Sequence, residues 1–217
     1  MSNQISSLLS GVTSAENLET NHALEGVPGL HLMPFDNIHN LRDLAGLRSR
    51  DGRRVRTGRL FRSGNPGMAS VADIARLRTL DLDDVIDFRS PEEKSAEERD
   101  FANAFNWVAL PVLEGSMSMN ELVPRLRNAT RQEMDDFMLQ VYRDFPIKHR
   151  SVFGNFMKKA EVGRALLYHC STGKDRAGFA TLLLLSALEW GNTARFLNEA
   201  LGVDVQRVRD HYLEEVN

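Results

Sequence analysis

The chain has 217 residues, 42% of them hydrophobic and 26% charged, with a formal net charge of −3. Those values fit one soluble globular domain, with or without an appendage, and the slightly acidic balance argues against nucleic acid as a general partner. The single cysteine, Cys170, excludes an intramolecular disulfide framework and makes a reducing compartment the simpler expectation. Met1 to Gly11 has no basic cluster leading into an apolar core, so no signal peptide is expected. No run approaches the roughly 18 apolar residues of a membrane span. The six histidines show no close ligand-type pairing, so neither a metal nor another cofactor is expected. A cytoplasmic location is expected, with secretion that needs no signal peptide left open.

Residues 1–28 are polar with scattered apolar positions and read as an N-terminal arm; residues 29–217 form the main domain. Asp51-Gly52 between short extended runs signals a hairpin turn, and Val55 to Ser63 reads as the returning strand. Seven arginines lie between Arg48 and Arg62. They suit the solvated face of a hairpin, or a basic wall beside a phosphate site to which Arg62 contributes.

Ala69 to Leu80 predicts a helix capped by Ser70, with Val71, Ile74, Leu77 and Leu80 on one face. Asp84 to Phe88 predicts a buried parallel strand, and Pro91-Glu92-Glu93 the start of a helical turn. Phe105 to Leu110 predicts another strand, Pro111 to Met119 a loop and Asn120 to Arg127 a short helix. Two amphipathic helices follow, Arg131 to Asp144 and Ile147 to Lys159, with a break expected at Phe145-Pro146. Ala165 to His169 is the last buried strand. The segment containing Phe179, Leu182 to Leu185 and Leu188 is apolar almost all round and reads as a central helix. Helices at about Thr193 to Leu201 and Val203 to Glu215 close an α/β domain built on a mostly parallel sheet flanked by helices.

The chemistry concentrates between that last strand and the central helix. A strand, a tight loop and a helix N-terminus in sequence make an anion cradle, because the loop and first-turn N–H groups have no intrahelical partners. Cys170 stands at its entrance, and after five intervening residues Arg176 supplies a guanidinium able to grip two phosphoryl oxygens. Facing those groups, the cysteine is favoured as the thiolate nucleophile. Ser171, Thr172, Gly173 and Lys174 then line the phosphate site, with Gly173 free to take positive φ and Lys174 adding charge at the rim. An ATP-binding P-loop is excluded: Tyr168 stands where its first glycine is needed, and Asp175 where its Ser/Thr is needed.

His169-Cys170-Ser171-Thr172-Gly173-Lys174-Asp175-Arg176-Ala177-Gly178 resembles the signature loop of the cysteine-dependent protein tyrosine phosphatases. It is most like the atypical bacterial and fungal branch that includes phosphoinositide phosphatases. Asn40 to Leu44, Gly58 to Gly64, Asp87 to Glu93 and Tyr142 to Pro146 are similar to that branch's other motifs, in the same order. The likeness runs over roughly residues 37 to 190.

The resemblance implies a protein-tyrosine-phosphatase-like fold, with residues 29–217 as the catalytic domain. It implies that Cys170 attacks phosphorus to give a cysteinyl-phosphate that water hydrolyses, with Arg176 stabilising both transfers. Asp175 is the general acid proposed for this branch; alternatively it is a charge partner orienting Lys174 or Arg42. Asp87, at a strand end, is the next acid, unless it holds a loop through backbone N–H groups. The implied partners are phosphorylated proteins, phosphotyrosine above all, with phosphoserine/threonine or phosphoinositides as further substrates. The family usually has Ser or Thr after the arginine, to hydrogen-bond the cysteine sulfur; here Ala177 departs from it. That departure keeps a second reading open, a module that captures phosphoproteins with little turnover. Arsenate reduction is disfavoured because reductases of that kind generally need further cysteines.

Overall fold

The computed structural model describes residues 31–112, 127–188 and 192–216. The expected N-terminal arm and most of the loop and helix expected over 111–127 lie outside these residues. The strands are β1 His31–Leu32, β2 Arg42–Asp43, β3 Arg54–Val55, β4 Leu60–Ser63, β5 Asp84–Asp87, β6 Trp107–Ala109, β7 Leu166–His169 and β8 Leu213–Glu214. The helices are α1 Val71–Arg78, α2 Arg99–Ala104, α3 Arg131–Lys148, α4 Arg150–Glu161, α5 Asp175–Leu188, α6 Asn192–Leu201 and α7 Val205–Tyr212.

Six strands form one sheet in the order β1-β2-β4-β7-β5-β6. β4, β7, β5 and β6 run parallel, while β1 and β2 add antiparallel pairs at one edge. Side chains alternate across the central strands, because successive Cβ atoms point to opposite faces. Leu60, Ile86, Leu166 and Tyr168 enter the core covered by α4, α5 and α7. Phe61, Val85 and Leu167 enter the other core, with Leu77 of α1 and Phe101 of α2. Sandwiched on both faces, β5 and β7 bury every residue. β7 is last in the chain among these strands yet sits between β4 and β5. Its C-terminal end therefore lies at the switch point of an open parallel sheet, where α/β folds place their ligands.

Several boundaries depart from expectation for identifiable reasons. The strand expected over Val55 to Ser63 is split. Arg54–Val55 pairs instead with β8, and Gly58 at φ +75° turns the chain back into the main sheet as β4. The last helix correspondingly stops at Tyr212, leaving Leu213–Glu214 as that partner strand. The Asp51-Gly52 hairpin is present, closed by Ser49 N–H donating to the Arg53 carbonyl. Ser70 caps α1 by accepting from Asp73 N–H, but Val71 is 87% exposed and Leu77 carries the packing.

No break occurs at Phe145-Pro146: α3 runs through Pro146 to Lys148. The proline forfeits one helical hydrogen bond near the end, while buried Phe145 packs on Phe153 and Phe179 and holds the axis. α5 is central as expected, with Ala177, Ala180, Leu184 and Ala187 buried, although Leu182 is 56% exposed.

Candidate active site

The loop from Cys170 to Arg176 is pinned from behind by its carbonyls. The Ser171 carbonyl accepts from Asn65 N–H (2.9 Å) and the Thr172 carbonyl from Asn40 Nδ2 (3.1 Å). The Gly173 carbonyl accepts from Arg62 Nη2, and the Lys174 carbonyl from Gly178 N–H (2.8 Å) and Arg62 Nη2 (3.3 Å). Across a trans peptide the N–H points opposite the C=O. Anchoring these carbonyls outward thus turns the N–H groups of Thr172 to Asp175 toward the concave side, an arrangement that favours an anion there. Gly173 has φ +73°, and a Cβ there would lie 2.5 Å from the Ser63 carbonyl carbon and oxygen. Only glycine allows the loop to lie so closely on the end of β4.

Cys170 sits at the base of this concavity, buried. Before it, His169 is buried in the sheet with its ring edge-on to Trp107 and Nδ1 3.4 Å from the Cys170 carbonyl. Burial pushes His169 down to about 4, so the ring is neutral at pH 7. A neutral ring meeting a carbonyl must carry its proton on Nδ1, which makes it a donor to the loop's first peptide.

Arg176 is buried and held by Glu93, a residue on a 3-10 turn (Pro91–Glu93) at the far side of the site. Its Nη1 and Nη2 donate to the two Glu93 carboxylate oxygens, each at 2.7 Å. Nη1 also reaches the carbonyls of Phe88 (3.3 Å) and Val112 (3.5 Å), and Nη2 the Ser171 hydroxyl (3.2 Å). Ser171 in turn donates to Glu93 at 2.5 Å. Burial opposes the Glu93 charge, but Arg176 and Ser171 outweigh it and hold the carboxyl at about 2. Glu93 is a site residue that sequence reasoning missed. Its signals were its place in the family-like stretch Asp87 to Glu93 and the pair of acids after Ser90-Pro91, read as a helix start; the same carboxylate does accept from Ser90 N–H, at 2.9 Å.

Asp175 opens α5, and its Oδ1 accepts from the Tyr142 hydroxyl of α3 at 2.5 Å. Tyr142, not Lys174 or Arg42, is the partner seen among the described residues. Lys174 itself is exposed at the rim. Asp87 belongs to a buried network instead: Arg89 donates to it through the backbone (2.9 Å) and Nε (3.1 Å), and Lys94 pairs with it at 3.1 Å. A carboxylate so engaged has no proton to give, so its loop-holding role is the one realised. Arg89 also grips Glu98 at 2.6 Å, tying the segment that carries Glu93 to the end of β5.

The arginine-rich hairpin is mostly structural. Arg53 pairs with Asp51, Arg56 with the Leu213 carbonyl and Arg59 with the Gly163 carbonyl. Arg62 acts from behind the loop and spends its donors on Gly173, Lys174 and Thr181. Ala177 is fully buried, and its carbonyl accepts from Thr181 Oγ1 at 2.8 Å.

A cysteine, a fixed guanidinium and inward N–H groups at the end of a central parallel strand suit phosphate-ester chemistry. The chain belongs to the tyrosine phosphatase family, whose pattern it matches over residues 33–214. It is 60% identical over 166 residues to a candidate tyrosine-protein phosphatase of Cupriavidus necator; the match takes in 76% of this chain and 61% of that relative. The chain thus spans less than two thirds of the relative's length. Among solved structures, P. aeruginosa TpbA aligns over 85% of this chain and 96% of its own, at 16% identity and a TM-score of 0.41. Among the described residues, no helix is long and apolar enough to cross a membrane.

Proposed function

We propose that this domain hydrolyses phosphomonoesters, protein phosphotyrosine first among them, through a cysteinyl-phosphate on Cys170. The observation that carries this reading is the loop itself. Four outward-anchored carbonyls turn the loop N–H groups that follow Cys170 toward one side, with Arg176 held by Glu93.

In the first step the Cys170 sulfur attacks phosphorus, the S–P bond forms and the P–O bond to the leaving group breaks. The departing oxygen takes a proton from Asp175. The three non-bridging oxygens accept from the loop N–H groups and from Arg176, whose charge matches the transferring group. In the second step Asp175, now a carboxylate, takes a proton from water as water attacks phosphorus. The S–P bond breaks, inorganic phosphate leaves and the thiolate returns. Ser171, Thr172, Gly173 and Lys174 serve by their backbone and by the charge at the rim. Exposed Lys174 also suits substrates with a second charge, such as phosphoinositides.

The test is hydrolysis of p-nitrophenyl phosphate, then a panel of phosphotyrosine, phosphoserine and phosphothreonine peptides and phosphoinositides, by wild type and Cys170→Ser. The wild type should turn over phosphotyrosine peptides and the variant should not. A second reading, phosphoprotein capture with little turnover, rests on Ala177. Tight phosphopeptide binding by both proteins with equal inactivity would favour it.

A further inference from the structure

Tyr142 is an unusual feature of the site wall. It lies on α3, 33 residues before Asp175, and is 42% exposed, yet its hydroxyl points inward to the Asp175 carboxylate. Its ring packs edge-on to Phe145, which is buried against α4 and α5. The phenol is therefore fixed by the core rather than by its own exposed tip. Burial and the Asp175 charge push it up to about 12, so it remains a donor throughout the range in which a phosphatase works.

We infer that Tyr142 is a positioning residue for Asp175: by donating to Oδ1 it leaves Oδ2 as the oxygen that gives and takes the proton. This rests on Asp175 being the acid and base of the proposed reaction. A carboxyl group that accepts at one oxygen and carries its proton on the other has a fixed orientation in both protonation states. A fixed orientation serves a group that must donate in one half-reaction and accept in the next. The other charged or titratable groups around the pair are Cys170 at the end of β7, Arg62 from β4, Lys174 in the loop, and Arg176 with Glu93 on the opposite wall. Cys170 and Arg62 are near enough to act on the Tyr142 phenol itself.

The experiment is kcat/KM at one pH for wild type, Tyr142→Phe, Asp175→Asn, the double variant and Cys170→Ser, with phenyl phosphate and p-nitrophenyl phosphate as substrates. Phenylalanine keeps the ring against Phe145 and removes only the hydroxyl; an unchanged melting temperature checks that the fold is retained. Tyr142→Phe should lower kcat/KM about tenfold on phenyl phosphate and less on p-nitrophenyl phosphate, whose leaving group needs less protonation. Asp175→Asn should show the same leaving-group dependence more steeply, and adding Tyr142→Phe to it should cost little more. An equal loss on both substrates would overturn the inference, since a merely structural role does not distinguish leaving groups. If Asp175→Asn keeps its rate on both substrates while Cys170→Ser is dead, the acid assignment and the Tyr142 role fall and the nucleophile stands. Activity in Cys170→Ser would overturn the proposed function itself.

Discussion

Glu93 and Arg176 face each other as a bidentate pair, both Nη–O distances being 2.7 Å, although 83 residues separate them in sequence. The pair fixes the guanidinium before any phosphate arrives. Positioning of this kind lowers the cost of ordering a long side chain at the moment of reaction.

Replacing Glu93 by Gln keeps the size and removes the charge. The account predicts a fall of about 10- to 100-fold in kcat/KM on aryl phosphates, because Arg176 is no longer held in one orientation. Steady-state kinetics of Glu93→Gln beside Arg176→Lys is the check. The double variant should be barely worse than Arg176→Lys alone, as expected of two residues acting as a unit.

The same pair predicts an acid dependence of stability. Glu93 titrates at about 2 in the folded state against 4.5 for the free group, so its contribution is fully present above about 4.5 and is lost as the pH falls toward 2. The shift corresponds to roughly 3 kcal/mol. Urea unfolding of wild type and Glu93→Gln should give a stability gap that is constant from pH 7 to pH 5 and narrows steadily below that. A gap independent of pH would show that the pair is not the source.

Gly173 should not tolerate a side chain. A Cβ at φ +73° would meet the Ser63 carbonyl group at 2.5 Å and the Gly64 nitrogen at 2.6 Å, so Gly173→Ala must push the loop off the end of β4. Circular dichroism should still show a folded protein, with phosphate hydrolysis reduced at least 100-fold. Gly52→Ala, at a hairpin tip whose added Cβ meets nothing within 4 Å, carries similar backbone strain away from the site and should leave hydrolysis near the wild-type level.

Ala177 predicts which step is slow. With no hydroxyl after Arg176 to support the departing sulfur, breakdown of the phosphoenzyme should limit turnover. Rapid mixing with p-nitrophenyl phosphate should give a burst proportional to enzyme, and Ala177→Thr should raise the steady-state rate. Ala177 is fully buried, so Ala177→Ser, which adds only the hydroxyl, serves where threonine does not fit. A linear time course with no gain in either variant would contradict the prediction.

What was legible in the sequence followed the range of the interactions. Cys170, Gly173 and Arg176 are set by one short loop, and local spacing between a strand and a helix is enough to expose their roles. Buried β5 and β7 were readable because apolar runs bounded by turns have few alternatives. Glu93 and Tyr142 stand in stretches that resemble family motifs, but they reach the site from other elements, and nothing local shows which partner each side chain will meet. In sequence Arg62 suits either a solvated hairpin face or a phosphate wall; its place on β4 puts it behind the loop instead, donating to the carbonyls of Gly173 and Lys174. Pro146 misled for the same reason, since the packing of Phe145 on distant helices outweighs a local breaking signal.

The central claim is that Cys170 carries the phosphoryl group. Acid quenching within the first turnovers on a phosphotyrosine peptide, followed by mass spectrometry of the peptide bearing Cys170, tests it most directly. The account predicts one phosphoryl group on Cys170 in the wild type, at a level that falls in Ala177→Thr, and none in Cys170→Ser. Full hydrolysis with no phosphoryl group on Cys170 at any time, or with turnover retained in Cys170→Ser, would contradict it.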